Sequence, residues 1–314
     1  MEALTTKSLV LGTALWGWGV GRQEAFGILD SFIENGGSLI DTATNYPINQ
    51  SRCDFGLSLK WLEEWVRSNQ GAAVSVLVKI GSIDNSGGSS IDLTEATITA
   101  TVANLQQRLG DALSCVSVHW DNRGSGEGDL RLIEQTVSAF TALEASGLSV
   151  GLSGIGYPEH YLNANPALSD KWIIQVKENF ATQDARSNYS KYFPKAKYLA
   201  YGINLGGVKL QSAQPDSSLS LRSIKPPAGL VDQLSIFLNS KHGFEPTPNS
   251  LNELALAFSY VNAALSGVIV GPRNIQQLVS TMEYWGVLHR ECKGFNDLGL
   301  NLSSCSLKSP QDIK

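Results

Sequence analysis

The sequence lacks the features that mark a membrane protein or a nucleic-acid-binding protein. It contains no run of about 18 consecutive apolar residues, the length that a bilayer-spanning helix requires. The formal net charge is −5, and no cluster of lysines and arginines is present that could follow a phosphate backbone. These absences disfavour a membrane segment and a nucleic-acid partner.

Cysteine is scarce and scattered. The four cysteines, at positions 53, 115, 292 and 305, form no CxxC pair. A disulfide framework or a zinc site needs closer and more regular spacing, so the sequence favours buried or incidental thiols and predicts no metal site. Met1 is followed by Glu2 and a polar stretch, and not by a basic and then apolar signal region. We therefore expect a soluble, cytoplasmic protein.

The residues that are abundant alternate regularly along the chain. Of the 314 residues, 42% are hydrophobic, which is enough for a substantial core. Amphipathic spacing predicts helices at 23–35, 51–68, 93–109 and 129–146. Short apolar runs predict eight strands, at 8–11, 38–41, 74–80, 112–119, 149–153, 172–176, 196–201 and 267–270.

This alternation predicts an α/β protein built as a (β/α)8 TIM barrel. Regular alternation of strand and helix is typical of a parallel sheet, and helices that cover the sheet from outside explain why the strands are mostly apolar. Because the pattern continues to the end of the chain, a closed barrel is favoured over an open sheet of five or six strands. Residues 1–314 are predicted to form one domain, with an inserted loop at about 206–227 and a C-terminal tail at about 286–314.

Four side chains with acid–base chemistry fall at or just beyond the predicted strand ends, where barrel enzymes build their active sites. Asp41 closes the second strand and Tyr46 lies in the loop after it, whereas Lys79 and His119 end the third and fourth strands. A lysine cation lowers the pKa of a neighbouring tyrosine from its ordinary value of about 10. A carboxylate can hold that lysine, and a histidine can orient a carbonyl group. The set suits delivery of a proton to a carbonyl oxygen while hydride reaches the carbon.

Taken singly, these residues have simpler interpretations. Asp41 could cap a helix, Tyr46 could be a packing aromatic, and His119 could be a hydrogen-bonded core residue. Lys79 is harder to explain in this way, because lysine is rarely buried unless it is paired. The common position at strand ends favours the catalytic interpretation.

The residues around these positions resemble the aldo-keto reductase family. Residues 40–46, IDTATNY, resemble the signature DTAxxY, and residues 11–14, LGTA, resemble the family's first strand. Ser51 and residues 55–56 are in register with the helix start SExxLG, and residues 268–274, VIVGPRN, resemble the C-terminal cofactor segment. The resemblance implies an oxidoreductase that transfers hydride between NADPH and an aldehyde or ketone, sugars among them. Asp41, Tyr46, Lys79 and His119 would be its catalytic residues.

The resemblance also implies a site for NADPH, or for NADP+ in the reverse direction. Gln175 matches a glutamine that binds the nicotinamide amide, Tyr201 an aromatic residue that stacks on the nicotinamide ring, and Arg273 an arginine that contacts the 2′-phosphate. A Gly-Pro-Arg turn that opens a helix also offers backbone amides and a guanidinium to a phosphate. The implied cofactor-binding set is completed by Gly12, Thr13, Ser153, Gly271, Pro272 and Gln277.

Several positions near the expected site depart from the family pattern. Pro47 stands where glycine is common, Gly154 where asparagine is usual, and Arg52 where SExxLG has glutamate. Gly154 would remove one amide contact to the nicotinamide. Trp16 and Trp120, in the loops after the first and fourth strands, are predicted to wall an apolar substrate pocket.

Other functional classes fit less well, with one exception. Gly17, Gly19 and Gly21 do not have the GxGxxG spacing, and Trp18 stands where a phosphate loop has lysine. An NADP(H)-binding barrel that serves as a sensor or regulatory subunit with little turnover stays open as an alternative. The substrate is left open as well, because specificity in such barrels comes from the loops.

Overall fold

Eight parallel strands close into a barrel, which confirms the predicted fold class. The structure, a computed structural model, describes residues 7–87, 90–183, 185–205, 207, 229–240 and 243–292, with the backbone alone at 185–186. Each barrel strand pairs with the next barrel strand in the chain, and the last pairs with the first to close the ring. The barrel strands are β1 (Ser8–Gly12), β2 (Leu39–Ala43), β3 (Ser75–Ile80), β4 (Leu113–Val118), β5 (Ser149–Ser153), β6 (Ile173–Asn179), β8 (Lys197–Tyr201) and β9 (Gly267–Val270).

A two-residue strand, β7 (Thr182–Gln183), pairs antiparallel with the end of β6 and is not part of the barrel ring. Helices connect most of the barrel strands. They are α1 (Arg22–Glu34), α2 (Leu57–Ser68), α3 (Glu95–Leu109), α4 (Glu127–Ala145), α5 (Pro158–Ala164), α6 (Leu230–Asn239), α7 (Leu251–Val261) and α8 (Ile275–Glu291). None of the helices in the described part of the chain is long and apolar enough to cross a membrane.

Two predicted boundaries are wrong for local reasons. The helix expected at 51–68 is divided into a short 3-10 turn, Arg52–Asp54, and α2, because Gly56 between them has a left-handed backbone with φ of +75°. The predicted tail at 286–314 begins inside α8, which continues to Glu291. The rest of that tail after residue 292, and the predicted loop at 206–227 apart from residue 207, lie outside the described residues.

Alternation along the strands separates the barrel interior from the helix-facing core. A small buried cluster inside the barrel consists of Val10, Leu77, Cys115, Leu199 and Ile269, with Leu39 and Ile173 packed against it. The residues between them in sequence belong to the larger core under the helices. Side chains in a strand alternate with period two, so residues two positions further along point inward as well. That rule directs the side chains at 41, 79, 175 and 201 to the interior at the C-terminal end of the barrel.

Candidate active site

A cavity of about 950 Å³ lies at the C-terminal ends of the barrel strands. Its size is that of a typical small-molecule or cofactor site, roughly 300–1,000 Å³. All four predicted catalytic side chains line it: Asp41, Tyr46, Lys79 and His119. Seven of the nine residues predicted to bind cofactor line the same cavity, namely Gly12, Ser153, Gln175, Tyr201, Gly271, Arg273 and Gln277.

A buried ion pair between Lys79 and Asp41 lines this cavity. The Lys79 Nζ atom donates to both carboxylate oxygens of Asp41, at 2.5 and 2.6 Å, and the Gln175 amide donates to Asp41 Oδ1 at 2.7 Å. Burial by itself lowers the pKa of Lys79, but the Asp41 carboxylate and the Tyr46 hydroxyl more than offset it, so the pKa lies above its ordinary value. The lysine is therefore a fixed cation at neutral pH.

Tyr46 is held between Lys79 and His119. The Lys79 Nζ atom lies 5.0 Å from the centre of the Tyr46 ring, and the His119 ring meets the Tyr46 ring edge-on with 5.4 Å between ring centres. The loop that carries Tyr46 is tied to α2, since the backbone amide of Ser58 in that helix donates to the Tyr46 carbonyl at 3.2 Å. Tyr46 is 8% exposed, and its surface borders the cavity.

His119 is neutral at physiological pH. Burial first, and the Lys79 cation second, hold the pKa of His119 well below its ordinary value of 6.5. Its Nδ1 atom lies 3.1 Å from the Ser82 hydroxyl oxygen, and its ring packs on Trp120 with 4.1 Å between ring centres. A neutral imidazole that is fixed in this way can hydrogen-bond a carbonyl oxygen without adding charge to the site.

Gly154 has a structural reason for its departure from the family pattern. Its backbone has φ of +56°, and a Cβ atom at this position would lie 3.0 Å from Trp120 Cβ and 3.2 Å from the His119 carbonyl oxygen. Asparagine tolerates the left-handed region, but it brings the same Cβ atom. Glycine therefore lets the β5 end approach the loop that carries His119 and Trp120.

Asparagines tie the loops after β2 and β3 together at the rim of the cavity. The Asn85 side chain donates to the Ser51 carbonyl at 2.7 Å and to Asn49 Oδ1 at 3.2 Å. Gln50 donates its backbone amide to the Asn85 carbonyl at 3.1 Å and has φ of +64°, which is uncommon for a residue other than glycine. Asn49 and Gln50 both line the cavity. Strained residues that are held by neighbours often mark binding sites.

Three predicted site residues do not line the cavity. Trp16 is 1% exposed and packs in the core under the helices, so its predicted place in the pocket wall is wrong; Trp18, two residues later, lines the cavity. Thr13 does not line the cavity, because its buried hydroxyl donates to the buried Thr42 hydroxyl at 2.8 Å. Pro272 is buried beside the cavity and does not border it.

Sequence reasoning missed the polar residues of the loops. Ser82, Asn49, Gln50 and Ser86 belong to no motif, and they reach the site through the path of the loops after β2 and β3. One feature of the sequence points to them: asparagine and serine are frequent in the loops after β2 and β3, close to Tyr46 and Lys79. Trp120, which was predicted to wall the substrate pocket, lines the cavity.

The groups that line the cavity fit a nicotinamide cofactor. Gln175 and Ser153 offer polar atoms beside Asp41 and Lys79, and the Tyr201 ring is 38% exposed at the edge of the cavity. Arg273 and Gln277 line the same cavity at the start of α8 and provide a cation and an amide. Such a row of groups suits a ligand that has an aromatic amide at one end and a phosphate at the other.

Comparison with known proteins identifies the family. The model of the Aldo/keto reductase family matches residues 8–291, so the chain belongs to the aldo/keto reductase family. Members of this family are oxidoreductases that act on carbonyl compounds and generally bind NAD(P)H.

Two individual proteins are similar to this chain, one in fold and one in the sequence of a short segment. The fold is similar to that of the aldo-keto reductase AKR11C1 from Bacillus halodurans in its holo form, with a TM-score of 0.65 and 20% identity over 96% of this chain and 92% of that chain. A 76-residue segment is 34% identical to an uncharacterized 11.2 kDa protein in the crtE 3′ region of Pseudescherichia vulneris; it covers 24% of this chain and 74% of that protein.

Proposed function

We propose that this protein is an NADPH-dependent reductase of aldehydes or ketones in which Tyr46 is the proton donor. The observation that carries the proposal is the arrangement of Tyr46 between the Lys79 cation and the neutral His119 at the wall of the large cavity. A bound NADPH would supply the hydride that adds to the carbonyl carbon. The protein's own task is then to hold the carbonyl oxygen and to give it a proton.

Lys79 makes Tyr46 a better proton donor than an isolated tyrosine. A fixed cation beside the ring stabilises the phenolate that remains after the proton leaves. Asp41 and Gln175 keep the ammonium in place, since the carboxylate takes two hydrogen bonds from Lys79 and one from Gln175. The proton moves from the Tyr46 hydroxyl to the substrate oxygen, and the Lys79 cation stabilises the charge left on Tyr46.

His119, which packs against Trp120, orients the substrate oxygen. Because His119 Nδ1 is engaged by the Ser82 hydroxyl, Nε2 is the nitrogen left for the substrate. The Trp120 ring packs against the His119 ring, with 4.1 Å between ring centres, and so keeps the imidazole in place. Both side chains line the cavity beside Tyr46.

The cofactor would extend from Gln175 and Tyr201 to the start of α8. Tyr201 would stack on the nicotinamide ring, and Arg273 would contact the 2′-phosphate that distinguishes NADPH from NADH. Replacement of Arg273 by alanine should then weaken NADPH binding more than NADH binding. Equal weakening of both nucleotides in titrations of the purified variant would argue against that contact.

The rim of the cavity favours a polar, uncharged substrate such as a sugar or a sugar-derived ketone. Asn49, Gln50 and Ser86 offer amide and hydroxyl groups, and Trp18 and Trp120 offer apolar faces. Gln50→Ala should lower kcat/KM for hydroxylated aldehydes and leave apolar aldehydes of equal chain length unaffected. A uniform loss over both groups of substrates would contradict the assignment.

The central test is oxidation of NADPH with a panel of aldehydes and ketones. Tyr46→Phe should lower kcat about 10²- to 10⁴-fold, the usual contribution of a general acid, while the Kd for NADPH changes less than about twofold. Tyr157→Phe is the matched control, because Tyr157 is 41% exposed and stacks on His160 away from the cavity. Full activity of the Tyr46 variant would refute the proton donor. Tight NADPH binding with turnover no higher than in that variant would favour a sensor or regulatory subunit.

A further inference from the structure

A carboxylate from α1 lies at the N-terminus of α8, next to the proposed cofactor phosphate site. Glu24, in the first turn of α1, accepts a hydrogen bond from the Ile275 backbone amide at 3.1 Å. The two helices approach closely at this point, since a Cβ atom on Gly27 would lie 3.1 Å from Ile275 Cδ1. A negative charge at a helix N-terminus is favourable for the helix. The Glu24 carboxylate also occupies the Ile275 amide, a donor that a phosphate could otherwise use.

Other groups at the start of α8 are already hydrogen-bonded within the protein. The Arg273 amide donates to Gln277 Oε1 at 2.9 Å, and the Gln277 amide donates to the Asn274 side chain at 2.8 Å. The Arg273 guanidinium contacts the Gly19 carbonyl in the loop after β1, at 3.3 and 3.4 Å. Arg273 is therefore the positive group at this turn, and Glu24 is a negative group that shares the same helix end.

We propose that Glu24 is a specificity-determining residue that opposes the 2′-phosphate of NADPH and so narrows the preference for NADPH over NADH. This inference rests on the proposed function, in which Arg273 attracts that phosphate. A phosphate monoester carries a charge of about −1.5 to −2 at neutral pH, and a nearby carboxylate repels it. NADH has no phosphate at this position, so Glu24 leaves its affinity unchanged.

The experiment measures nucleotide affinity in the cofactor-free protein and needs no substrate. Tryptophan fluorescence reports binding of NADPH and of NADH to wild type, Glu24→Gln and Glu34→Gln. Glutamine keeps an oxygen that can accept from the Ile275 amide, so the α8 cap is preserved. Glu34→Gln is the matched control: it removes the same charge from the exposed last residue of α1, about 15 Å away along the helix.

Glu24→Gln should tighten NADPH binding about two- to fivefold, the upper part of the range for one screened charge contact near the surface, with NADH changed by less than about 1.5-fold. The gain should shrink in 0.5 M salt, and Glu34→Gln should change neither affinity. Equal effects on both nucleotides, or an unchanged NADPH affinity, would overturn the role of Glu24. If wild type still binds NADPH more tightly than NADH in that case, the proposed function stands. Failure of wild type to bind either nucleotide would overturn both.

Discussion

Replacement of Lys79 by methionine should destabilise the fold as well as stop turnover. Lys79 and Asp41 are both almost completely buried, with side-chain exposures of 3% and 5%, and the Lys79 Nζ atom makes two of the hydrogen bonds that reach Asp41. Removal of one partner from a buried ion pair costs about 3–5 kcal/mol, since the other charge stays buried without compensation. The Gln175 amide continues to donate to Asp41, so we expect a loss near 3 kcal/mol.

A double-mutant cycle tests whether the stability lost in Lys79→Met comes from the uncompensated charge of Asp41 or from lost packing of the Lys79 side chain. Asp41→Asn in the Lys79→Met background removes the uncompensated charge, and replacement of a buried pair by neutral groups is often close to neutral. The double variant should therefore recover most of the lost free energy of unfolding while staying inactive. Its coupling free energy should exceed about 1 kcal/mol, because the residues are in direct contact.

Urea unfolding at pH 7, followed by tryptophan fluorescence, gives each free energy of unfolding. Lys171→Met is the control, since the Lys171 side chain is 52% exposed and its ion pair with Glu144 lies at the surface; we expect a change below about 1 kcal/mol. A loss below 1 kcal/mol in Lys79→Met, or a double variant no more stable than that single variant, would refute the view that Lys79 compensates a buried charge.

Two further predictions concern His119. Ser82→Ala should lower kcat about three- to tenfold, because the hydrogen bond that holds the His119 ring is lost. Ser82→Thr, which keeps the hydroxyl, should restore kcat. An equal rise in the Kd for NADPH would show instead that Ser82 supports the whole site. Because the pKa of folded His119 lies well below 6.5, the unfolded chain takes up this proton first as pH falls. Stability should therefore decline below pH 6.5, by up to about 1.4 kcal/mol per pH unit from this group. His119→Gln should flatten that decline in urea titrations between pH 5 and 7, and an unchanged slope would contradict the depressed pKa.

The order of strands and helices follows from local properties of the chain. Short apolar runs alternate with amphipathic stretches, and this is sufficient to predict the barrel and most strand positions to within one or two residues. Period-two alternation then determines that Asp41 and Lys79 share the interior with Leu39 and Leu77. The arrangement of Asp41, Tyr46, Lys79 and His119 around one cavity was predictable because strand ends of a parallel barrel meet at one face.

Tertiary structure decided the contacts that join distant loops. Gln175 meets Asp41 across 134 residues, and Glu24 meets Ile275 across 251 residues, and neither pair shares a motif. Trp16 was predicted to wall the pocket, but the turn after β1 buries Trp16 and directs Trp18 to the cavity. The sequence by itself determined the barrel and the position of Asp41, Tyr46, Lys79 and His119 at one end of it. Loop paths and helix packing, which depend on the whole folded chain, decided which polar groups contact those residues and which charges lie at the start of α8.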